Sequence, residues 1–183
     1  MNLNLKGLLA IAAVLCAANV KAQDYVITTK GDTIHCKVFS TFWSTKYRLN
    51  DNDPGKKIDS DEIIEYLDTK NNYLVRAVYP EGKKKREYYY TKLKGAITIY
   101  EERIQNGWYT EKIWYFSKGT DTVYKLKFNT LGGKSRDVRK NKLGEMFKDD
   151  SEVYEKYLYD NKFTFDQILS LVKQYNKNHP TTI

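Results

Sequence analysis

The chain has 183 residues, with 31 lysines and arginines against 23 acidic residues and a formal net charge of +8. Two cysteines and three prolines, with no Ser/Gly/Pro-rich linker and no internal repeat, exclude a disulfide framework and a division into several folded units. The aromatic content is high, with 16 tyrosines, and tyrosine suits a pleated, half-buried surface.

Residues 1–22 have the three parts of a secretory signal peptide. Lys6 supplies positive charge, 7–18 form an uncharged and largely apolar run, and Val20-Lys21-Ala22 offers small or aliphatic groups to a signal peptidase. The run is shorter than the ~20 residues a membrane-spanning helix needs, so cleavage after Ala22 is expected, with no transmembrane span afterwards. Cys16 follows Leu15, where a lipoprotein site wants a small residue, so this cysteine is expected to leave with the signal. Loss of residues 1–22, with Lys6 and Lys21, leaves 161 residues, a net charge of +6 and Cys36 as the one remaining cysteine. A thiol-oxidising compartment outside the cytoplasm is then met without an internal disulfide, and stability must come from an ordinary hydrophobic core.

From 23 to about 130 the pattern is that of strands and tight turns. Apolar and polar residues alternate over 25–30 and 33–40, with Gly31-Asp32 between them as a hairpin signal. In the second run Ile34, Cys36 and Val38 share one face, which puts Cys36 in the core and turns His35 to solvent. Further strands are expected at 45–50, 63–68, 73–79, 86–93, 96–104, 108–116 and 122–128. They are separated by turn signals at 51–55, Asn71-Asn72, Pro80-Glu81-Gly82, Gln105-Asn106-Gly107 and 117–121. With no helical crossovers between them, these strands form an antiparallel meander. The run 108–116 carries Trp108, Trp114 and Phe116 on one side and Tyr109, Ile113 and Tyr115 on the other. Either both faces of the sheet are covered, or the sheet curls toward a barrel or sandwich.

After Leu131-Gly132-Gly133 the period changes to that of helices. Residues 136–148, 151–159 and 165–176 are the expected helical segments, with 178–183 a frayed end. Thr164 and Gln167 have capping-box spacing, and Phe163 and Ile168 sit where a hydrophobic staple closes. Ile168, Leu169, Val172 and Tyr175 form an apolar stripe that docks on the sheet. The fold class is therefore α+β, an antiparallel sheet followed by two or three C-terminal helices in a single domain over 23–183.

Candidate chemistry is sparse. Gly132-Gly133-Lys134-Ser135 lacks the earlier glycine of a phosphate-binding loop, because Phe128 stands there. The run 51–62 has calcium-type oxygen donors at its positions one, three and nine and Glu62 at twelve. Lys56, however, stands where the sharp turn wants glycine, and Lys56 and Lys57 repel a cation. No Gly-x-Ser-x-Gly or His-Glu-x-x-His pattern occurs. His35 and Cys36, adjacent on a strand, point to opposite faces. No catalytic residue, metal ligand or cofactor is assigned.

What remains is surface. Lys83, Lys84, Lys85 and Arg86 run into Tyr88 and Tyr90, and cations beside aromatic rings suit an anionic ligand with stackable faces. A second reading has Lys83–Arg86 solubilising a hairpin while Tyr88 and Tyr90 pack inward.

The hairpin Gly31-Asp32-Thr33-Ile34 resembles a feature of exported, uncharacterised proteins of Bacteroidetes-type bacteria. So does the tail Val153-Tyr154-Glu155-Lys156-Tyr157 … Lys162-Phe163-Thr164-Phe165-Asp166-Gln167-Ile168 … Leu171-Val172-Lys173-Gln174-Tyr175-Asn176. This resemblance covers both ends of the mature chain. It implies an envelope location, periplasmic or outer-membrane-associated and extracellular, in a Gram-negative-type bacterium, and it brings no reaction with it. The expected function is a non-enzymatic binding module for a protein partner, an anionic glycan or lipopolysaccharide, and not for nucleic acid. The rival expectation is an envelope glycan hydrolase with carboxylates assembled from separate strands.

Overall fold

A computed structural model describes residues 23–128, 136–160 and 162–181. Residues 1–22, expected as a signal segment, and the run Gly132-Gly133-Lys134-Ser135 lie outside the described residues. Eleven strands precede three helices among the described residues: β1 Tyr25–Thr28, β2 Thr33–His35, β3 Lys37–Ser40, β4 Thr45–Arg48, β5 Lys56–Lys57, β6 Ile63–Asp68, β7 Tyr73–Pro80, β8 Glu87–Leu93, β9 Ile97–Asn106, β10 Tyr109–Lys118 and β11 Thr122–Phe128, then α1 Arg136–Phe147, α2 Ser151–Tyr159 and α3 Phe165–Asn178. The fold is α+β, with a mixed sheet dominated by antiparallel pairs.

The sheet curls until it closes. Antiparallel ladders run in the order β11-β10-β9-β8-β7-β6-β1-β2, and β11 also pairs in parallel with β7 at Thr122↔Tyr79 and Val123↔Pro80. Strands β7 to β11 therefore form a five-stranded ring, from which β6, β1 and β2 extend as a flap. Pro80 has no N–H to offer, and the closure does not ask for one: Tyr79 N–H donates to Asp121 C=O and Glu81 N–H to Val123 C=O, on either side of it. Inside the ring Val78, Tyr89, Tyr100, Ile113, Tyr115 and Val123 form a buried cluster.

The outer face of the same strands is also covered. Ile97, Ile99, Trp114, Phe116 and Leu126 pack against Leu143 and Phe147 of α1, Val153 and Tyr157 of α2, and Ile168, Leu171, Val172 and Tyr175 of α3. Both alternatives left open for 108–116 hold together over its second half, where Ile113 and Tyr115 fill the ring and Trp114 and Phe116 lie under the helices, while Trp108 and Tyr109 are exposed. The tail docks as its stripe predicts, with Leu171 at the centre and Leu169 only partly buried.

Thr164 caps α3 by accepting from the Gln167 N–H at 3.3 Å, while the Gln167 amide oxygen accepts from the N–H of Phe163, one residue before the reciprocal partner of a standard capping box. The helix runs two residues past Asn176. Its C-cap, His179, stacks on Tyr175 at 4.3 Å and reaches the Asp150 carboxylate at 3.2 Å. Asn176 clamps the helix to the barrel, because its side-chain amide exchanges two 2.8 Å hydrogen bonds with the N–H and C=O of Ile97. The clamp needs Gly95, since a Cβ there would stand 2.3 Å from the Asn176 amide nitrogen.

The run expected as one strand over 33–40 is broken at Cys36. The N–H of Cys36 donates to Asp24 C=O and the N–H of Val38 to the Asp24 carboxylate at 2.8 Å, so the chain leaves β1 there. It continues in a separate sheet, β3-β4-β5. Asp24 also accepts from the Thr69 N–H at 2.8 Å and the Thr69 hydroxyl at 2.5 Å. Burial, the largest influence, opposes its ionisation, but these donors and the Lys37 charge hold its carboxyl below the usual value. Cys36 is buried and His35 exposed, as their faces predict. No helix among the described residues is long and apolar enough to cross a membrane.

Candidate functional site

Two concave sites flank the β7–β8 hairpin, and the sequence-predicted residues divide between them. Because strand neighbours alternate sides, Tyr88 and Tyr90 face outward from the ring while Glu87 and Tyr89 face inward. Lys83 lies at the inner site, Lys84 and Lys85 are exposed at the turn, and the Arg86 guanidinium lies 4.9 Å from the Tyr79 ring. The six candidates therefore do not converge on one point.

The outer site is a groove of about 440 Å3 between the small β3-β4-β5 sheet and the outside of the barrel. It is lined by Trp43, Lys57, Tyr66, Tyr88, Tyr90 and Arg103. Its floor is tightly wired. Tyr66 meets Tyr88 edge-on at 5.7 Å, and Tyr88 donates to Ile63 C=O at 2.7 Å. Tyr90 meets Tyr73 at 4.9 Å, with the Arg103 guanidinium 4.3 Å over the Tyr90 ring. Arg103 is held by Glu101 at 2.7 Å and donates to the Tyr73 hydroxyl at 3.2 Å. Glu101 itself is buried and also accepts from the Trp114 indole N–H at 3.1 Å. Burial would raise its carboxyl, but the Arg103 and Trp114 hydrogen bonds and the charges of Lys92 and Arg103 keep it below the ordinary glutamate value. The groove thus has a fixed aromatic floor, a fixed cation and an 88 % exposed Trp43 at its rim. Of the sequence candidates it gathers Tyr88 and Tyr90. The partners missed by sequence reasoning, Trp43, Lys57, Tyr66 and Arg103, come from three other elements and a turn.

The inner site is a cavity of about 380 Å3 at one mouth of the barrel, where Lys83, Lys125, Arg139 and Lys142 surround Glu87 and Glu102. Tyr89 and Tyr115 stack below them at 4.6 Å, Tyr89 donating to Glu87 at 2.9 Å and Tyr115 to Glu102 at 2.7 Å. Burial first raises both phenols far above the ordinary tyrosine value, reinforced for Tyr89 by Tyr115 and the nearby acids and for Tyr115 by Glu102, while the Tyr89 hydrogen bond acts the other way on Tyr115. Lys83 pairs with Glu87 at 3.1 Å. Both carboxylates are hydrogen-bonded into the wall.

No protein-family model matches the chain, and no curated protein or solved structure matches it.

At the opposite barrel end a cleft of about 490 Å3 is lined by Glu65, Arg76, Lys94 and Asp121. Arg76 donates to Glu65 at 3.1 Å and to Asp121 at 3.0 Å, while Tyr25 and Lys94 lie 3.1 and 3.5 Å from the other Glu65 oxygen. Glu65 is fully buried, so the network joins flap, ring and the β10–β11 turn. In the 51–62 run, Asp51 pairs with Arg48 and Lys37, and Lys56 pairs with Glu62 at 2.5 Å. These acids serve the protein's own lysines and arginines, and β5 lies inside the run. No cluster of three or more metal-ligating side chains occurs among the described residues.

Proposed function

We propose that the protein is an exported binding module of the cell envelope whose outer groove holds a segment of anionic polysaccharide. The carrying observation is the groove itself, a row of tyrosine faces set beside Arg103 and Lys57 and overhung by the exposed Trp43. Ring faces offer apolar contact to the C–H faces of sugars, and fixed cations complement carboxylate or sulfate groups along such a polymer. Preorganisation supports this reading. Arg103 is already oriented by Glu101 and Tyr73, so a ligand does not have to order it. Export rests on the signal pattern of residues 1–22. The hydrolase rival would draw on Glu87 and Glu102, but both are hydrogen-bonded to phenols of the wall and Glu87 is also neutralised by Lys83.

The test is affinity electrophoresis of residues 23–183 through gels containing heparin, alginate or neutral dextran, across a salt series. Retardation by the anionic polymers that fades with salt, and a loss of about fivefold or more in Trp43→Ala, is the expected result. Equal mobility in all three gels, or undiminished retardation of Trp43→Ala, overturns the reading.

A further inference from the structure

At the barrel mouth, the β7–β8 turn and the β9–β10 turn emerge side by side. Strand β8 pairs with β9 at Tyr90↔Glu101, so the start of β8 lies beside the last few residues of β9. The mouth cavity is lined by Lys83 from one turn and Ile104 from the strand leading to the other. Beyond that level the β9–β10 hairpin projects alone, paired to its tip at Asn106↔Tyr109. The tip is stiff. Gln105 donates to Gly107 C=O at 2.8 Å, Thr110 to Gln105 at 2.8 Å and Asn106 to Glu111 at 3.2 Å. At its apex Trp108 is fully exposed, followed by the 58 % exposed Tyr109. Lys84 and Lys85 stand exposed on the β7–β8 turn at the same barrel mouth, without an ion pair among the described residues.

Trp108 and the Tyr109 that follows it leave aromatic surface at this tip that the protein itself does not cover. A second protein is a poor match for it. Protein interfaces favour arginine and are depleted in lysine, and a single projecting tip presents no flat complementary patch. A soft anionic surface matches on both counts. Tryptophan and tyrosine settle at the headgroup level of a bilayer, and flexible lysines are drawn to anionic headgroups without needing a fixed geometry.

We infer that this end of the barrel docks on an anionic lipid bilayer, with Trp108 entering the headgroup layer and Lys84 and Lys85 lying against its negative charge. The surface is separate from the groove. It shares with the polysaccharide reading only the envelope location.

The experiment uses residues 23–183 and saccharide-free vesicles, either phosphatidylglycerol with phosphatidylethanolamine or phosphatidylcholine alone. Sedimentation with the anionic vesicles, weakened by salt, is expected, with quenching of tryptophan emission when brominated lipid is included. Each lysine near an anionic leaflet contributes about fivefold in affinity, so the double variant Lys84→Ser, Lys85→Ser should bind about 25-fold more weakly. Trp108→Phe should lose the quenching, whereas Trp43→Ala should bind vesicles like the wild type. Circular dichroism of each variant before use verifies that it is folded. Equal binding to both vesicle types, unchanged binding of the double-lysine variant, or quenching that survives Trp108→Phe overturns the inference. Because the vesicles carry no saccharide, a failure here leaves the gel assay of the groove unaffected, and the reverse also holds.

Discussion

The two ends of the barrel are built on opposite rules. At one end Arg76 ties the buried Glu65 to Asp121, so three parts of the fold are fastened by a single guanidinium. At the other, β9 and β10 run past their neighbours, Lys84 and Lys85 are exposed without an ion pair among the described residues, and Trp108 projects into solvent. The Arg76 end pairs its charges with one another around its cleft. The open end places charge and apolar surface where only something outside can use them. The comparison teaches that the same residue types take their meaning from desolvation: a buried charge needs a partner, and an exposed one leaves its partner to be found.

The sharpest way to break the Arg76 end is Arg76→Ala. Glu65 then keeps only Tyr25 and the more distant Lys94, and breaking a buried pair of this kind costs about 3–5 kcal/mol. Urea unfolding should show a midpoint lowered to match, with the same spectroscopic signature for the folded state that remains.

Next in size is Asn176→Ala, which strands both the N–H and the C=O of the fully buried Ile97. Unsatisfied buried groups of this type lower stability by about 2–3 kcal/mol, readable in the same titration.

A third test varies pH and so probes the charged and the neutral interior together. Asp24, Glu101 and Asp150 have depressed pKa values. Their stabilisation is therefore complete above the ordinary carboxyl values of 3.8 and 4.5 and is lost as pH falls through the lowered folded values. Cys36, pushed up by burial from 9.0 to about 11, and Tyr25 and Tyr66, pushed by burial from 10.0 to about 12, behave in the opposite sense. Their contribution is complete at neutral pH and is lost as pH rises through those values. Denaturation midpoints should hold from about pH 5 to 9 and fall on both sides; a decline across neutrality would contradict this assignment.

The smallest effect sharpens the contrast. Lys84→Ser, Lys85→Ser and Trp108→Phe at the open end should each change stability by no more than about 0.5 kcal/mol, because each of these side chains is exposed. A large loss of stability from any of them would place that end in the core with the other.

Local features could be read without any coordinates. The alternation of apolar residues over 63–68, 73–79 and 108–116, the Thr164 cap and the stripe on the last helix are short-range patterns, set by the period of strand and helix. Each appears in the structure at nearly its expected place. The same local periodicity put Cys36 inside and His35 outside. It could not show that the strand stops at Cys36, because the interruption comes from Asp24, twelve residues earlier in the chain, whose carbonyl and carboxylate claim the backbone donors of Cys36 and Val38.

Tertiary structure alone decided the rest. Ring closure joins residues 79–80 to 122–123 through backbone groups, and backbone pairing carries no side-chain signature. The groove joins Trp43, Tyr66, Tyr88 and Arg103 from distant segments, so the sequence held two of its tyrosines together with lysines that the hairpin sends elsewhere. A charged run and the aromatic run that follows it are neighbours along the chain, but in a strand the pleat turns successive side chains to opposite faces. The sequence by itself determined an α+β chain with an amphipathic helical tail. Which face each side chain shares with residues far away was decided by the way the sheet closed, since contacts of that range depend on the whole fold and not on the local pattern.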